Sequence, residues 1–420
     1  MKISNLVVCS LLLVGPSTVS AQSVAFTGVT AYLEDGPVDN VTVVTESGLI
    51  SAVGVGVTAP VGAEVIDGSG KILTPGLISA WTRLGTVEVS MEDDTVDDDA
   101  GGEDPFRPAF VVGEAYNPRS SLIPLARAHG VTMVVTAPTG GVMPGQGAAV
   151  SLTGVTQKDA VVAMSVSMYV VLEGGDGSRA RTLGQLKEII EDARAWGLSK
   201  AAWEKGDTRT FALGRRELQA MQPVLDGRLP MVVETNRAVD IEALLRLTDE
   251  TDINLIIQGG AEAHLMAKEL AARQVPVIVD AIIYGPGHFD QLRARPDNAA
   301  LLQEAGVPLV ICPTDDVGPH RVGILRQNAG NAVRGGLDHA AAVKAITQAP
   351  ADAFGLDGYG RIAVGAHADL VLWAGDPLEI GTTIEAVYID GVVQDLTTRQ
   401  SRLLDRYRSL PASPSSLPLP

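Results

Sequence analysis

The hydrophobic rhythm of the chain changes twice. Residues 25–33, 41–46, 49–53 and 63–66 are short runs rich in β-branched residues, separated by the turn pairs Ser47-Gly48 and Asp67-Gly68, and they predict a group of paired strands. From residue 131 onward, apolar runs of strand length alternate with amphipathic segments. The run 131–136 follows a helix ending near His129. After it come 231–235 before 241–247, 253–257 before 261–272, 275–279 before 298–304, and 307–311 before 322–334. Continuously apolar strands are those covered by helices on both faces, so this middle predicts a closed, TIM-like (β/α)8 barrel. The first rhythm returns at 369–373 and 385–393. A lone pair of strands is marginal in water, so the two ends are predicted to share one small β-sandwich. The predicted organisation is an α/β chain with a sandwich from 22–74 and 360–400 and a barrel over 75–359.

The first residues read differently again. Lys2, the apolar run 6–14, Gly15-Pro16 and Val19-Ser20-Ala21 form the charged, apolar and small-residue regions of a secretory signal peptide. Cleavage is expected after Ala21, giving a secreted or periplasmic protein. That apolar run is too short to span a bilayer, and no later one is long enough. Residues 409–420, rich in Ser, Pro and Leu, have no periodicity and predict a disordered tail.

Composition adds limits on partners. The formal charge of −18, one unit more negative once Lys2 is lost, repels phosphates. Neither nucleic acid nor an anionic membrane is therefore expected as a partner, and a small-molecule ligand is. Of the 2 cysteines, Cys9 falls in the leader, so Cys312 has no disulfide partner within the mature chain and stability rests on packing.

Several chemistries are excluded by motif. The chain has no Gly-x-Ser-x-Gly elbow, no phosphate loop ending in Gly-Lys-Ser/Thr, and no Cys-x-x-Cys. The glycine-rich stretch 140–147 matches no nucleotide fingerprint and predicts a tight loop lining the barrel mouth. The acidic stretch 93–104 lacks the spacing of a calcium loop and predicts a solvated, flexible loop. Among the histidines, His129, His264, His339 and His367 read as capping, packed or solvated groups. His288, in Tyr284-Gly-Pro-Gly-His288, and His320, in Val317-Gly-Pro-His320, follow the seventh and eighth strands, within reach of the barrel mouth.

A resemblance runs through several blocks. Thr74-Pro-Gly-Leu-Ile-Ser-Ala-Trp-Thr-Arg-Leu-Gly85 is in register with the Pro-Gly-Leu-Ile-Asp-x-His-x-His-x-Gly signature of the amidohydrolase superfamily. Leu325-Arg-Gln-Asn-Ala-Gly-Asn-Ala-Val333, Ala349-Pro-Ala-Asp-Ala-Phe-Gly355, Ala366-His-Ala-Asp-Leu-Val-Leu-Trp-Ala-Gly-Asp-Pro377 and the Gly259-Gly-Ala-Glu-Ala263 turn look like its imidazolonepropionase-related branch. The similarity covers nearly everything from Val24 to Tyr407. It implies hydrolysis of a non-peptide carbon–nitrogen bond, often in a cyclic amide, at a binuclear metal centre. It also implies the ligand set: two histidines after the first strand, a Lys or Glu bridge, single histidines after the fifth and sixth, and an Asp after the eighth. Such donors suit zinc-like ions, which lower the pKa of bound water.

At those positions the sequence departs from the signature. Trp81 and Arg83 replace the first two histidines, and neither ligates a cation, because the indole nitrogen has no free lone pair and the guanidinium stays protonated. Glu234 or Asn236 stands at the fifth-strand position, Gln258 at the sixth, and no lysine ends an apolar strand. Asp315, in Leu309-Val-Ile-Cys-Pro-Thr-Asp-Asp316, matches the eighth-strand Asp, which the resemblance makes a metal ligand and catalytic proton shuttle; the plain alternative is an Asp that caps the next turn. Arg83, Glu234, Arg237, His288 and His320 are candidates for substrate binding. Arg237 either grips a ligand carboxylate or makes a structural ion pair with Asp240 or Glu262.

Three readings stay open. The first is a hydrolase of cyclic-amide-type bonds with a degenerate metal centre. The second is a non-catalytic binding or partner protein, self-associating or paired with an active amidohydrolase. The third is metal-free acid–base chemistry by Glu234 and Asp315, two carboxylates whose shared proton would split their pKa values. No cofactor is demanded, and a single divalent ion such as zinc, held by His288, His320 and Asp315, is the one metal arrangement on offer.

Overall fold

The computed structural model describes residues 23–173, 178–205, 209–281, 287–314 and 318–408, the side chains of 201–204 excepted. The leader expected at 1–21, the tail expected at 409–420 and Asp315 lie outside the described residues.

Five strands open the fold: β1 (Val24–Leu33), β2 (Gly36–Glu46), β3 (Leu49–Val55), β4 (Glu64–Asp67) and β5 (Ile72–Pro75). β1 serves two partners on one edge, since its first half pairs parallel with β4 and its second half with β5. Register breaks between Phe26 and Ala31 make this sharing feasible, because a bulge bends and twists the strand that carries it.

Eight strands follow in the barrel: β6 (Leu77–Thr82), β7 (Val131–Thr136), β8 (Gly145–Ser151), β9 (Val161–Val171), β10 (Met231–Thr235), β11 (Leu255–Gly259), β12 (Val277–Val279) and β13 (Leu309–Ile311). They lie side by side in chain order. All but β8 run parallel, and β8 is antiparallel to both neighbours. The second half of the glycine-rich stretch 140–147, expected in a loop, therefore belongs to a strand. Gly147 permits it, because a Cβ there would sit 2.6 Å from the Tyr169 ring.

The inner face carries Ile78, Met133, Val135, Val232, Ile256, Ile278 and Val310. The outer face carries Val134, Met168, Val233, Ile257, Val277 and Ile311, under helices that include Ala238–Thr251, Asn298–Glu304 and Leu325–Arg334. With both faces buried, most positions are apolar, which is why several of these strands read as nearly unbroken runs.

The chain then returns to the first sheet as β14 (Leu370–Trp373), β15 (Ile384–Ile389) and β16 (Val392–Val393). β14 pairs antiparallel with β5 and completes the order β16-β15-β14-β5-β1-β2-β3, with β4 on β1. Around it packs a core of Phe26, Val43, Ile50, Leu73, Leu372 and Tyr388. The segment 385–393, expected as one run, is a hairpin. Asp390 and Gly391 take φ of 49° and 72°, the two positive angles of a two-residue turn.

Two joints hold this architecture. Among the described residues β6 and β13 share no ladder; the Ile311 N–H donates to the Ala345 carbonyl at 3.0 Å and the Ile78 N–H to Ile346 at 2.9 Å, so residues 345–346 wedge the seam. At the other joint, the fully buried Trp373 donates from Nε1 to Thr74 Oγ1 at 2.9 Å. Arg326 lies 4.6 Å over its ring and donates to the carbonyls of Pro377 at 2.7 Å and Glu379 at 2.6 Å. Gly76 lets β6 approach β7 here, since a Cβ would fall 2.0 Å from Thr132 Oγ1. Its N–H donates to the carbonyl of Asp369, whose buried side chain accepts the Asp390 N–H at 2.8 Å.

Replacing Trp373 by Ala should cost about 3–5 kcal/mol of unfolding free energy in urea titrations, as for other fully buried aromatics; a loss under about 1 kcal/mol would mean that the indole does not carry this joint. Burial pushes the Asp369 carboxyl up to about 7. Between the ordinary value of 3.8 and about 7, the folded protein keeps a proton that the unfolded chain has released, so stability should fall as pH rises through that interval. Asp369→Asn should flatten this slope in melting temperatures taken across pH, and an unchanged slope would assign it to another group.

Candidate active site at the barrel mouth

Side chains alternate across a strand, so the inward residues at the carboxyl ends follow from the inner core. Above Val232 stands Glu234, above Ile256 Gln258, above Ile278 Asp280, and above Val310 Cys312. Glu234 lies opposite Gln258 in the ladder, its side chain exposed while Gln258 is buried. Trp81 and Arg83 complete the mouth from β6 and its end.

Arg83 is the centre of this arrangement. Its guanidinium donates from Nε to Asp98 Oδ2 and from Nη2 to Asp98 Oδ1 at 3.0 Å, a two-pronged grip. Asp98 is fully buried and Arg83 only 11 % exposed. Thr139, just past β7, donates to Asp98 from its hydroxyl at 3.2 Å and from its N–H to the Asp98 carbonyl at 2.9 Å. The acidic stretch 93–104 is thus not a solvated loop throughout. The need to neutralise a buried guanidinium draws its middle into the protein. Further bridges from Val87 to Val96, Asp99 to Thr139 and Phe106 to Met143 pin the same segment.

The seam reaches the mouth at Cys312. Its Sγ lies 3.4 Å from Ser79 Oγ and donates to the Trp81 carbonyl at 3.4 Å, joining the ends of β13 and β6. Burial pushes this thiol up to about 11, so it is an uncharged packing group rather than a nucleophile. Asp280 is held from outside, accepting from Asn328 Nδ2 at 2.8 Å and from the Thr314 N–H at 3.3 Å. Deeper in the barrel, Gln258 Oε1 is buried without a hydrogen-bond partner among the described residues. Ser167 lies beside the Tyr169 phenol, whose pKa burial pushes up.

The other sequence candidates are dispersed. Arg237 is committed to Asp240 through Nε at 2.7 Å and Nη2 at 2.8 Å, the structural pair that was one of its two readings. His288 is exposed ahead of the turn Phe289–Gln291, and His320 is exposed within Pro319–Ile324. His339 bridges the Tyr32 hydroxyl at 3.1 Å and Asp376 at 2.9 Å, while His367 contacts Asp390 at 2.9 Å and stacks on Tyr359. Sequence reading passed over Asp98 and Asp280. Asp280 carried the same signal as Asp315, a carboxylate directly after an apolar strand; Asp98 carried none, being one acid in an acidic run.

A two-metal centre needs several imidazole or carboxylate donors converging on shared ions. Here the first two positions supply none, the sixth supplies an amide, and Arg83 adds a positive charge where cations would sit. Among the described residues, no three His, Cys, Asp or Glu side chains converge to hold a metal ion. The described residues do not fit that centre.

An eight-stranded barrel with its candidate site at the carboxyl ends, joined to a sheet built from both chain termini, is the architecture of metal-dependent hydrolases of the amide type. A family model described as Amidohydrolase family matches residues 127–394, more than half of the chain, and the chain belongs to that family. The structure is similar to an amidohydrolase from Thermotoga maritima MSB8, with a TM-score of 0.78 and 25% identity, covering 88% of this chain and 99% of that one. It shares its fold with molinate hydrolase, at a TM-score of 0.55 and 18% identity over 95% of this chain and 100% of that one. In sequence it is 25% identical over 187 residues to Amidohydrolase tasK of Hapsidospora irregularis, covering 42% of this chain and 18% of that protein, so it spans under a fifth of that relative's length.

Arg83→Met leaves Asp98 buried and unpaired, and should cost about 3–5 kcal/mol in chemical denaturation. Adding Asp98→Leu should recover much of this, since removing both charges is far cheaper than removing one. If the double variant proves no more stable than the single, the pair is not an isolated buried bridge.

Proposed function

We propose that this amidohydrolase-family chain binds a small molecule at its barrel mouth without two-metal hydrolysis. The observation that carries the proposal is the Arg83 guanidinium, buried against Asp98 where the resemblance implies paired histidines. Family membership makes a compound with a non-peptide carbon–nitrogen bond, such as a cyclic amide, the ligand class to try first. Glu234 suits such a ligand, because it lies exposed at the mouth and a carboxylate can accept an N–H, and the buried Gln258 Oε1 beside it has no donor among the described residues. The leader pattern over 1–21 supports a periplasmic or secreted location.

Metal-free hydrolysis is the second reading, favoured by the exposure of the Glu234 carboxylate at the mouth. Asp315, across the mouth on the sequence reading, is its proposed partner.

Elemental analysis of protein purified without chelators should find no stoichiometric zinc, manganese or iron after dialysis, and added metals should elicit no lactam or amide hydrolysis. A tightly held stoichiometric ion with turnover would overturn the proposal. Turnover by metal-free protein that Glu234→Gln abolishes would move the assignment to the second reading. Lactam binding, followed by thermal shift, should be lost in Glu234→Ala.

A further inference from the structure

We infer that the helix Arg399–Arg408 docks onto an acidic, apolar patch around residues 89–94 of a second copy of this chain. The helix is defined locally: the Thr398 N–H donates to Ser401 Oγ at 2.9 Å and the Ser401 N–H to Thr398 Oγ1 at 3.1 Å, a reciprocal cap. Beyond that cap it has no support, since none of its residues is buried among the described residues. A helix of 10 residues is marginal in water unless an amphipathic face is covered. This one has such a face, with Leu403, Leu404 and Tyr407 exposed at 39%, 57% and 51% and spaced for one side of a helix.

Charge identifies the occupant. Arg399, Arg402, Arg406 and Arg408 surround the stripe against a single acid, Asp405, on a chain whose formal charge is −18. The complement is on the same molecule. Val89 and Met91 are exposed at 54% and 94%, and beside them Glu92, Asp93 and Asp94 are exposed. Within one copy the two surfaces leave the barrel at different ends. The helix departs near Gln394, which accepts from Arg127 at 2.8 Å ahead of the amino end of β7, while residues 89–94 follow the carboxyl end of the parallel β6. They therefore sit at opposite ends of the barrel. Opposite charges around an apolar centre give both steering and burial, and the same net acidity disfavours an anionic bilayer as the alternative cover.

Sedimentation of the full mature chain, tail included, tests this. Wild type should associate reversibly and dissociate as salt screens the contact. The variant Arg402→Glu/Arg406→Glu should raise the dissociation constant about tenfold or more, as should Glu92→Lys/Asp93→Lys/Asp94→Lys, with circular dichroism confirming that both fold. Mixing the two charge-reversed variants should restore association as a heterodimer that neither forms alone. A monomeric wild type at every concentration and salt, an oligomer indifferent to both substitutions, or failure of the mixture to associate would each overturn the proposal. So would a monomer whose helix binds phosphatidylglycerol vesicles, which would assign the helix to a membrane surface.

Discussion

A guanidinium removed from water must find a carboxylate, and at the barrel mouth that requirement organises the structure around it. Asp98 meets Arg83 with both oxygens, and Thr139 holds Asp98 in place from the end of β7. The partner comes from residues 84–111, which cross the β7 and β8 side of the barrel and are pinned along their length. The buried ion pair and these bridges together fix the stretch that lies between β6 and β7 in sequence. Such pairs contribute little net stability against an apolar replacement, but removing either member alone is costly.

The same pair bears on chemistry. Where the resemblance implies cations held by histidines, the chain supplies its own positive charge on a side chain. Cys312, Ser79 and the Trp81 carbonyl close the adjacent seam between the barrel's edge strands with neutral contacts. The mouth also carries the exposed Glu234, with Gln258 buried beside it. That is a surface for recognising hydrogen-bonding groups, and it is built on rigid strand ends.

Much of the fold was legible because it follows from local pattern. The runs at 231–235, 275–279 and 307–311 contain β10, β12 and β13, the run at 253–257 overlaps β11, and strands from both ends of the chain do share one sheet. The blocks 325–333 and 366–377 proved to be one joint: Arg326 stacks on Trp373 and binds the carbonyls after it, while Asn328 props Asp280. The antiparallel β8 was not legible, because its glycines and small residues look like a loop until neighbouring strands supply hydrogen bonds. Nor was the hairpin turn at Asp390-Gly391 separated from the run around it, although that dipeptide is a turn signal.

The sequence by itself determined most of the barrel strands, the family resemblance and the presence of Trp81 and Arg83 where the resemblance implies histidines, since periodicity and residue identity are local properties. It showed that Arg83 is a cation. Only the tertiary structure decided what that cation does, because its partner lies 15 residues away inside an acidic run where every carboxylate looks alike. Burial distinguished them: of those acids, Asp98 is the one with no contact with water. Choices of this kind depend on desolvation, which is a property of the assembled fold and has no signature in the order of residues.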